Sequence, residues 1–154
     1  MTGTHRLAFA AGAIAAISFA PAALRAQTSP AAPGAAADSL AFPRQFVKWA
    51  FTMRGDSAFA HAGPTLRDAM KSAESVNEMA GRIALRFGDL QSTDAEVQFD
   101  EGPLKVYIAA MRFSKAPEQG AWTVVYSPST QVVERASFSP LAAVKTRYPQ
   151  AKLP

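Results

Sequence analysis

DAEVQFDEGPLKVYIAAMRFSKAPEQGAWTVVYSPSTQVVERASFSP, residues 94–140, reads as four β-strands in succession: Ala95–Phe99, Leu104–Phe113, Trp122–Ser127 and Gln131–Phe138. In the first, Ala95, Val97 and Phe99 alternate with Glu96, Gln98 and Asp100, the period-two pattern of a strand with one wet face. Asp100-Glu101-Gly102-Pro103 supplies turn chemistry. The second strand is apolar on both sides, with Val106, Ile108 and Ala110 in one row and Tyr107, Ala109, Met111 and Phe113 in the other. Such a strand needs cover on both faces. Lys115 to Gly120 is a polar loop, and Ser127 to Thr130 a second turn. Short turns between consecutive strands make the sheet antiparallel.

Upstream the apolar spacing changes to that of helices. Phe42, Phe46, Trp49, Ala50 and Met53 form one stripe of a helix over about Pro43–Arg54, with Pro43 in its first turn. Gly55 suits its end, and Asp56 suits the cap of a short helix to His61, closed by Gly63-Pro64. Thr65–Met70 is a further helical turn. Ser72 and Ser75 are both cap candidates for a long helix that buries Val76, Met79, Ile83 and Phe87 and stops at Gly88. Arg82 and Arg86 share another face of it. Leu141–Arg147 is read as a last turn or two of helix, and Pro149–Pro154 as a fraying tail. The layout is α+β: N-terminal helices packed on a curved four-stranded antiparallel meander.

The chain has 154 residues and no cysteine, so its core must hold it without disulfides. His5 and Arg6, an apolar run from Leu7 to Ala20, and small residues at Ala20-Pro21-Ala22 and Leu24-Arg25-Ala26 follow the order of a secretory signal peptide. Residues 1–26 are read as that signal, with cleavage after Ala26 or Ala22. An uncleaved anchor is the alternative, although the run is short of the ~20 apolar residues that span a bilayer. Residues 27–41 are read as a flexible linker and 42–148 as the domain. Export to periplasm or medium follows, with no stable membrane insertion after cleavage. The whole chain has 16 basic and 12 acidic residues. Losing Arg6 and Arg25 leaves 14 against 12, a scattered surplus of +2 that makes no basic stripe and argues against nucleic-acid binding.

Gly55-Asp56, Gly63-Pro64, the Ser72-to-Gly88 helix with its Phe-Gly ending, Val106-Tyr107, Trp122 to Tyr126 and Phe138-Ser139-Pro140 follow one another in a characteristic order. That order, over roughly Phe42 to Pro140, resembles the nuclear-transport-factor-two-like superfamily, whose cone is shared with cystatin-like proteins. Within it the nearer likeness is to the uncharacterised domain of unknown function 3887 family. The resemblance implies a curved sheet, a pocket and often a dimer. It hands over no catalytic residues.

The residues themselves point to no standard chemistry. Metal sites need clustered His, Cys or carboxylates, and after the signal only His61 remains as a histidine. No Gly-x-Ser-x-Gly elbow and no phosphate-cradling glycine loop is present. No metal and no cofactor are expected. Cone-shaped enzymes such as ketosteroid isomerase place a carboxylate or tyrosine in an apolar pocket; the weak candidates here are Glu134, Asp56 and Tyr107. Each has a simpler role, Asp56 as a cap and Tyr107 as a strand aromatic. Glu134 falls in phase with Val132 and Phe138, and is equally suited to pair across the sheet with Arg112. Trp49, Met53, Met79, Ile83, Trp122, Tyr126 and Phe138 are the candidate lining of a pocket for an apolar small molecule, or simply core. The row Tyr107, Met111 and Phe113 is expected to face outward, where a sheet-to-sheet homodimer would cover it. The expectation is an exported, non-catalytic binding domain. The alternatives are an isomerase- or dehydratase-type enzyme using a pocket carboxylate, and a pure dimerisation or assembly module.

Overall fold

The apolar alternation of residues 94–140 builds a four-stranded sheet. The structure, a computed structural model, describes residues 38–154; the signal segment and residues 27–37 lie outside them. Four helices come first: α1 (Ala41–Phe51), α2 (Gly55–Ala60), α3 (Pro64–Met70) and α4 (Ala73–Phe87). The strands follow as β1 (Leu90–Glu101), β2 (Leu104–Phe113), β3 (Gly120–Ser127) and β4 (Val132–Pro140), and α5 (Leu141–Arg147) comes last. The strands lie in sequence order and every neighbour is antiparallel. This is an open α+β meander.

Two apolar layers sandwich the sheet. On one face, Phe46, Val47 and Ala50 of α1, Ala58 of α2, Leu66 of α3, and Val76 and Ile83 of α4 pack on Tyr107, Met111, Phe113, Trp122 and Val124. On the other, Val106, Ile108, Ala110, Ala121 and Val125 lie beneath Leu141 and Val144 of α5 and Tyr148 and Ala151 beyond it. The both-faced apolar strand β2 thus receives the two covers its pattern requires. Among the described residues no helix is long and apolar enough to cross a membrane.

The caps follow local chemistry. Ser72 sits in extended backbone and accepts from the Ser75 amide at 3.3 Å, so Ser72 caps α4. Gly88 closes that helix at φ +83°, a conformation that favours glycine. Gly55 is required for another reason: a Cβ there would lie 2.1 Å from the Ala73 carbonyl oxygen, where α2 meets the start of α4. Its amide donates to Asn77 Oδ1 at 2.9 Å.

Several expectations are corrected. Tyr107, Met111 and Phe113 do not face outward; they are 1–3 % exposed beneath the helices. The opposite row, Val106, Ile108 and Ala110, is the one that needed a second cover. The C-terminal segment supplies it, so Pro149–Pro154 does not simply fray: Ala151 is buried and Leu153 packs against the same cluster. Strand β1 begins at Leu90 rather than Ala95, with bulges at Gln91 and Asp94 where the pairing register shifts. The last residues of the segment read as linker are built into the domain. The Asp38 carbonyl accepts from the Ala41 amide at 2.9 Å, and its carboxylate accepts from Leu40. Asp56 caps nothing, because α2 starts at Gly55 without a side-chain cap.

Candidate functional site

The polar row of β1 points to the helix side. The tight Gly102-Pro103 turn pairs Glu101 with Leu104, and the register then sets Gln98 opposite Tyr107 and Glu96 opposite Ala109. Glu96 therefore lies diagonally beside Tyr107, within reach of its phenol. Tyr107 donates to Glu96 Oε1. Arg44, entering from the first turn of α1, donates through Nε to both Glu96 oxygens (2.9 and 3.0 Å) and through Nη2 to Oε2 (2.7 Å). Its Nη1 reaches Asp38 Oδ2 at 2.6 Å. The neighbouring Gln98 accepts from the Tyr126 hydroxyl at 2.9 Å. Sequence reasoning missed Glu96. The signal was available in the Gly102-Pro103 turn, which fixes the register.

This cluster borders an open cleft of about 370 Å³ between α1 and β1–β2. Its chemistry is nevertheless consumed internally. The Arg44 hydrogen bonds hold the Glu96 carboxyl below the usual glutamate range, against the opposing effect of burial and with help from Tyr107. Burial, then the bond to Glu96, pushes the Tyr107 phenol well above its ordinary value. Around neutral pH the carboxylate is ionised and the phenol neutral, so neither exchanges a proton there. The arrangement clasps the start of α1 to β1.

The other candidate acids stand apart. Asp56 is exposed, 3.7 Å from Arg54. Glu134 occupies a bulge: Tyr126 pairs with Val133 and Val125 with Arg135, leaving Glu134 as the extra residue. The bulge breaks the alternation that put Glu134 in phase with Val132. It places the carboxylate against Gly63, where an added Cβ would lie 2.6 Å from Glu134 Oε2. Arg112 is bound by Asp94 at 2.8 Å, away from Glu134. His61 stacks on Trp49 (centroids 5.0 Å apart), with Nδ1 3.0 Å from the Gln131 carbonyl oxygen. Among the described residues no three His, Asp or Glu side chains gather in a way that suits a metal.

The seven expected pocket residues divide among separate places. Trp122 and Met79 border a small enclosed space of about 50 Å³ between helices and sheet, otherwise lined by apolar groups such as Phe46, Val76 and Ala136. Trp122 Nε1, in a side chain 2 % exposed, is the buried side-chain polar atom without a partner among the described residues. Such a space falls well below the roughly 300 Å³ of a small-molecule site. Trp49 stacks on His61, and Tyr126 is tied to Gln98 and to the Ser39 carbonyl. Met53 is 55 % exposed: α1 ends at Phe51, and Met53 turns away at φ +56°.

Met79, Ile83 and Phe138 do come together. With Phe87 and Pro140 they line an open cleft of about 420 Å³ between α4 and the end of β4. Phe138 fits there because β3 has glycine opposite its ring: a Cβ on Gly120 would sit 2.3 Å from the Phe138 Cζ. Phe138 also meets Phe87 and Phe113 edge to face, with centroids 5.2 and 5.6 Å apart. Arg82 and Arg86 of α4 and Ser139 supply the polar part of the lining.

No family model, curated protein or solved structure gives a significant match to the chain.

Proposed function

We propose that this chain is an exported, non-catalytic binding domain that takes an apolar small molecule in the cleft between α4 and β4. The carrying observation is that cleft: about 420 Å³ in volume, with Met79, Ile83, Phe87 and Phe138 around it. Its size and its mix of apolar walls with few polar groups are those of ligand sites. The apolar space around Trp122 and Phe46, between helices and sheet, is about 50 Å³, too small for such a ligand, which favours the flank of the fold. Export rests on the basic, apolar and small-residue order of residues 1–26. Membership of the nuclear-transport-factor-two-like cone proteins, near the domain of unknown function 3887 family, rests on the order of helices and strands.

The test is a fluorescence titration with the neutral probe N-phenyl-1-naphthylamine, followed by amide chemical-shift mapping. Enhancement at micromolar probe, with shifts concentrated at Met79, Ile83, Phe87 and Phe138, is expected. No enhancement, or shifts concentrated elsewhere, refutes the site.

A second reading, an assembly module, has one observation in its favour. A groove of about 230 Å³ runs along the small residues Ala80, Gly81 and Ala84 of α4 and Gly88 at its end, and the exposed apolar side chains Met53 and Leu90 border it. Concentration-dependent sedimentation, with and without Met53→Lys, tests that reading. An unchanged monomer over the whole range removes it.

A further inference from the structure

The α4–β4 cleft carries charge of one sign. Arg82 and Arg86 stand four residues apart on α4, both among its lining residues, and no acid is among them. Two like charges at that spacing disfavour a helix slightly. Neither is neutralised well. Arg82 has only Glu78, at 3.7 Å, and both side chains are more than two-thirds exposed, a kind of pair that contributes little. Arg86 forms no ion pair with the described residues; its guanidinium lies over the Phe87 ring, 5.3 Å from the centroid. Attraction to the ring face holds the cation at the cleft and leaves its N–H donors available to an anion. Behind the two cations lie Met79, Ile83, Phe87 and Phe138, apolar side chains with no hydrogen-bonding group of their own.

From this juxtaposition of a cationic rim and an apolar floor, we infer that the ligand is a single-chain amphipathic anion, an alkyl carboxylate. Its chain lies along Phe87 and Phe138, and its carboxylate is held by Arg86 with Arg82 beside it. The inference rests on the proposed binding role of this cleft and adds the ligand's charge and the residues that select it. Guanidinium–carboxylate pairing gives the head group a directional contact. The apolar floor gives a chain-length dependence of ~0.8 kcal/mol per buried methylene, about fourfold in affinity.

The experiment is displacement of bound N-phenyl-1-naphthylamine from the full chain by decanoate and by decyltrimethylammonium, each below its micelle-forming concentration. Decanoate is expected to displace the probe at a concentration at least tenfold lower than the cation does. That advantage should fall as salt is raised, as contacts at an exposed rim are screened. Arg82→Gln with Arg86→Gln should weaken decanoate about tenfold more than it weakens the neutral probe, whose affinity is titrated for the variant separately; an equal loss for both overturns the role of the charge. Both arginines are exposed, so the variant should retain its fold, which circular dichroism verifies.

Equal displacement by anion and cation overturns the inference while leaving the apolar site intact. Failure of the probe to bind overturns both. Sedimentation with phosphatidylglycerol vesicles, without displacement by monomeric decanoate, overturns the free-anion reading in favour of a membrane surface.

Discussion

Glu96→Gln is the substitution that most directly tests the charged bond that Tyr107 of β2 makes to Glu96 of β1 beneath α1. Glutamine keeps the size of the side chain and one carbonyl acceptor, and removes the charge. In the folded protein the Glu96 side chain is 23 % exposed and accepts from both Arg44 and Tyr107. A hydrogen bond to a charged group contributes about 1.5–3 kcal/mol. The Arg44 side chain is 44 % exposed, so its share is discounted for solvent screening. The Tyr107 bond lies deeper and sets the loss; since Gln keeps a neutral acceptor, it is the difference between a charged and a neutral bond, about 1 kcal/mol at pH 7.

The pH dependence follows with a definite sign. The folded-state carboxyl titrates below the ordinary glutamate range of about 4.3. Its stabilisation is therefore complete above that range and is lost as pH falls through the lower folded-state value. The variant lacks this contribution at every pH. Urea denaturation of both proteins from pH 8 to pH 3 should give a gap that is constant down to about pH 5 and closes below about pH 4. Other carboxyls held low, such as Asp94 beside Ser92 and Arg112, are common to both proteins and cancel. A gap that persists unchanged to pH 3, or no gap at pH 7, refutes the contribution assigned to the charged Tyr107–Glu96 bond.

Further outcomes follow from packing. Gly55→Ala should destabilise the domain by about 3 kcal/mol, since the new methyl would lie 2.1 Å from a backbone carbonyl that cannot turn aside; a urea midpoint equal to the parent's contradicts that approach of α2 to α4. A chain ending at Arg147 loses Tyr148, Ala151 and Leu153 from the outer sheet face. It should unfold at lower temperature and bind a hydrophobic dye over the bared Val106 and Ile108; unchanged melting denies the tail its role as a cover. Tyr107→Phe removes only the hydroxyl and should cost about 1–2 kcal/mol at pH 7, with the gap closing in acid as for Glu96→Gln. A gap that does not close would separate the phenol from the carboxylate.

The strands, the long helix and their order could be read from residues 42–140 because period two and period 3.6 are local properties of a chain that buries one face or both. The Gly88 stop was legible for the same reason, as was a serine cap, although Ser72 and Ser75 both fitted and the structure selects Ser72. The turn at Gly102-Pro103 even held the register that brings Glu96 to Tyr107. Leu141, Val144, Tyr148 and Ala151 recur at spacings of three, four and three, but the pattern runs past the end of the helix at Arg147, so residues 149–154 read from sequence as a fraying tail, not the cover they form.

Periodicity cannot say which apolar row meets which cover, because both rows of β2 are equally apolar. That choice depended on α5 and the tail reaching back over Val106 and Ile108, a long-range contact. The same limit applies to single residues. One bulge at Glu134 shifts the alternation and turns a pocket candidate towards Gly63. The end of α1 at Phe51 sends Met53 into solvent. The cleft at Arg82 and Arg86 exists only because α4 lies beside the edge of β4 and Gly120 makes room for Phe138. Sequence determined the elements and their polarity; the partner each face received, and so the place where a ligand fits, was decided when the layers closed on one another.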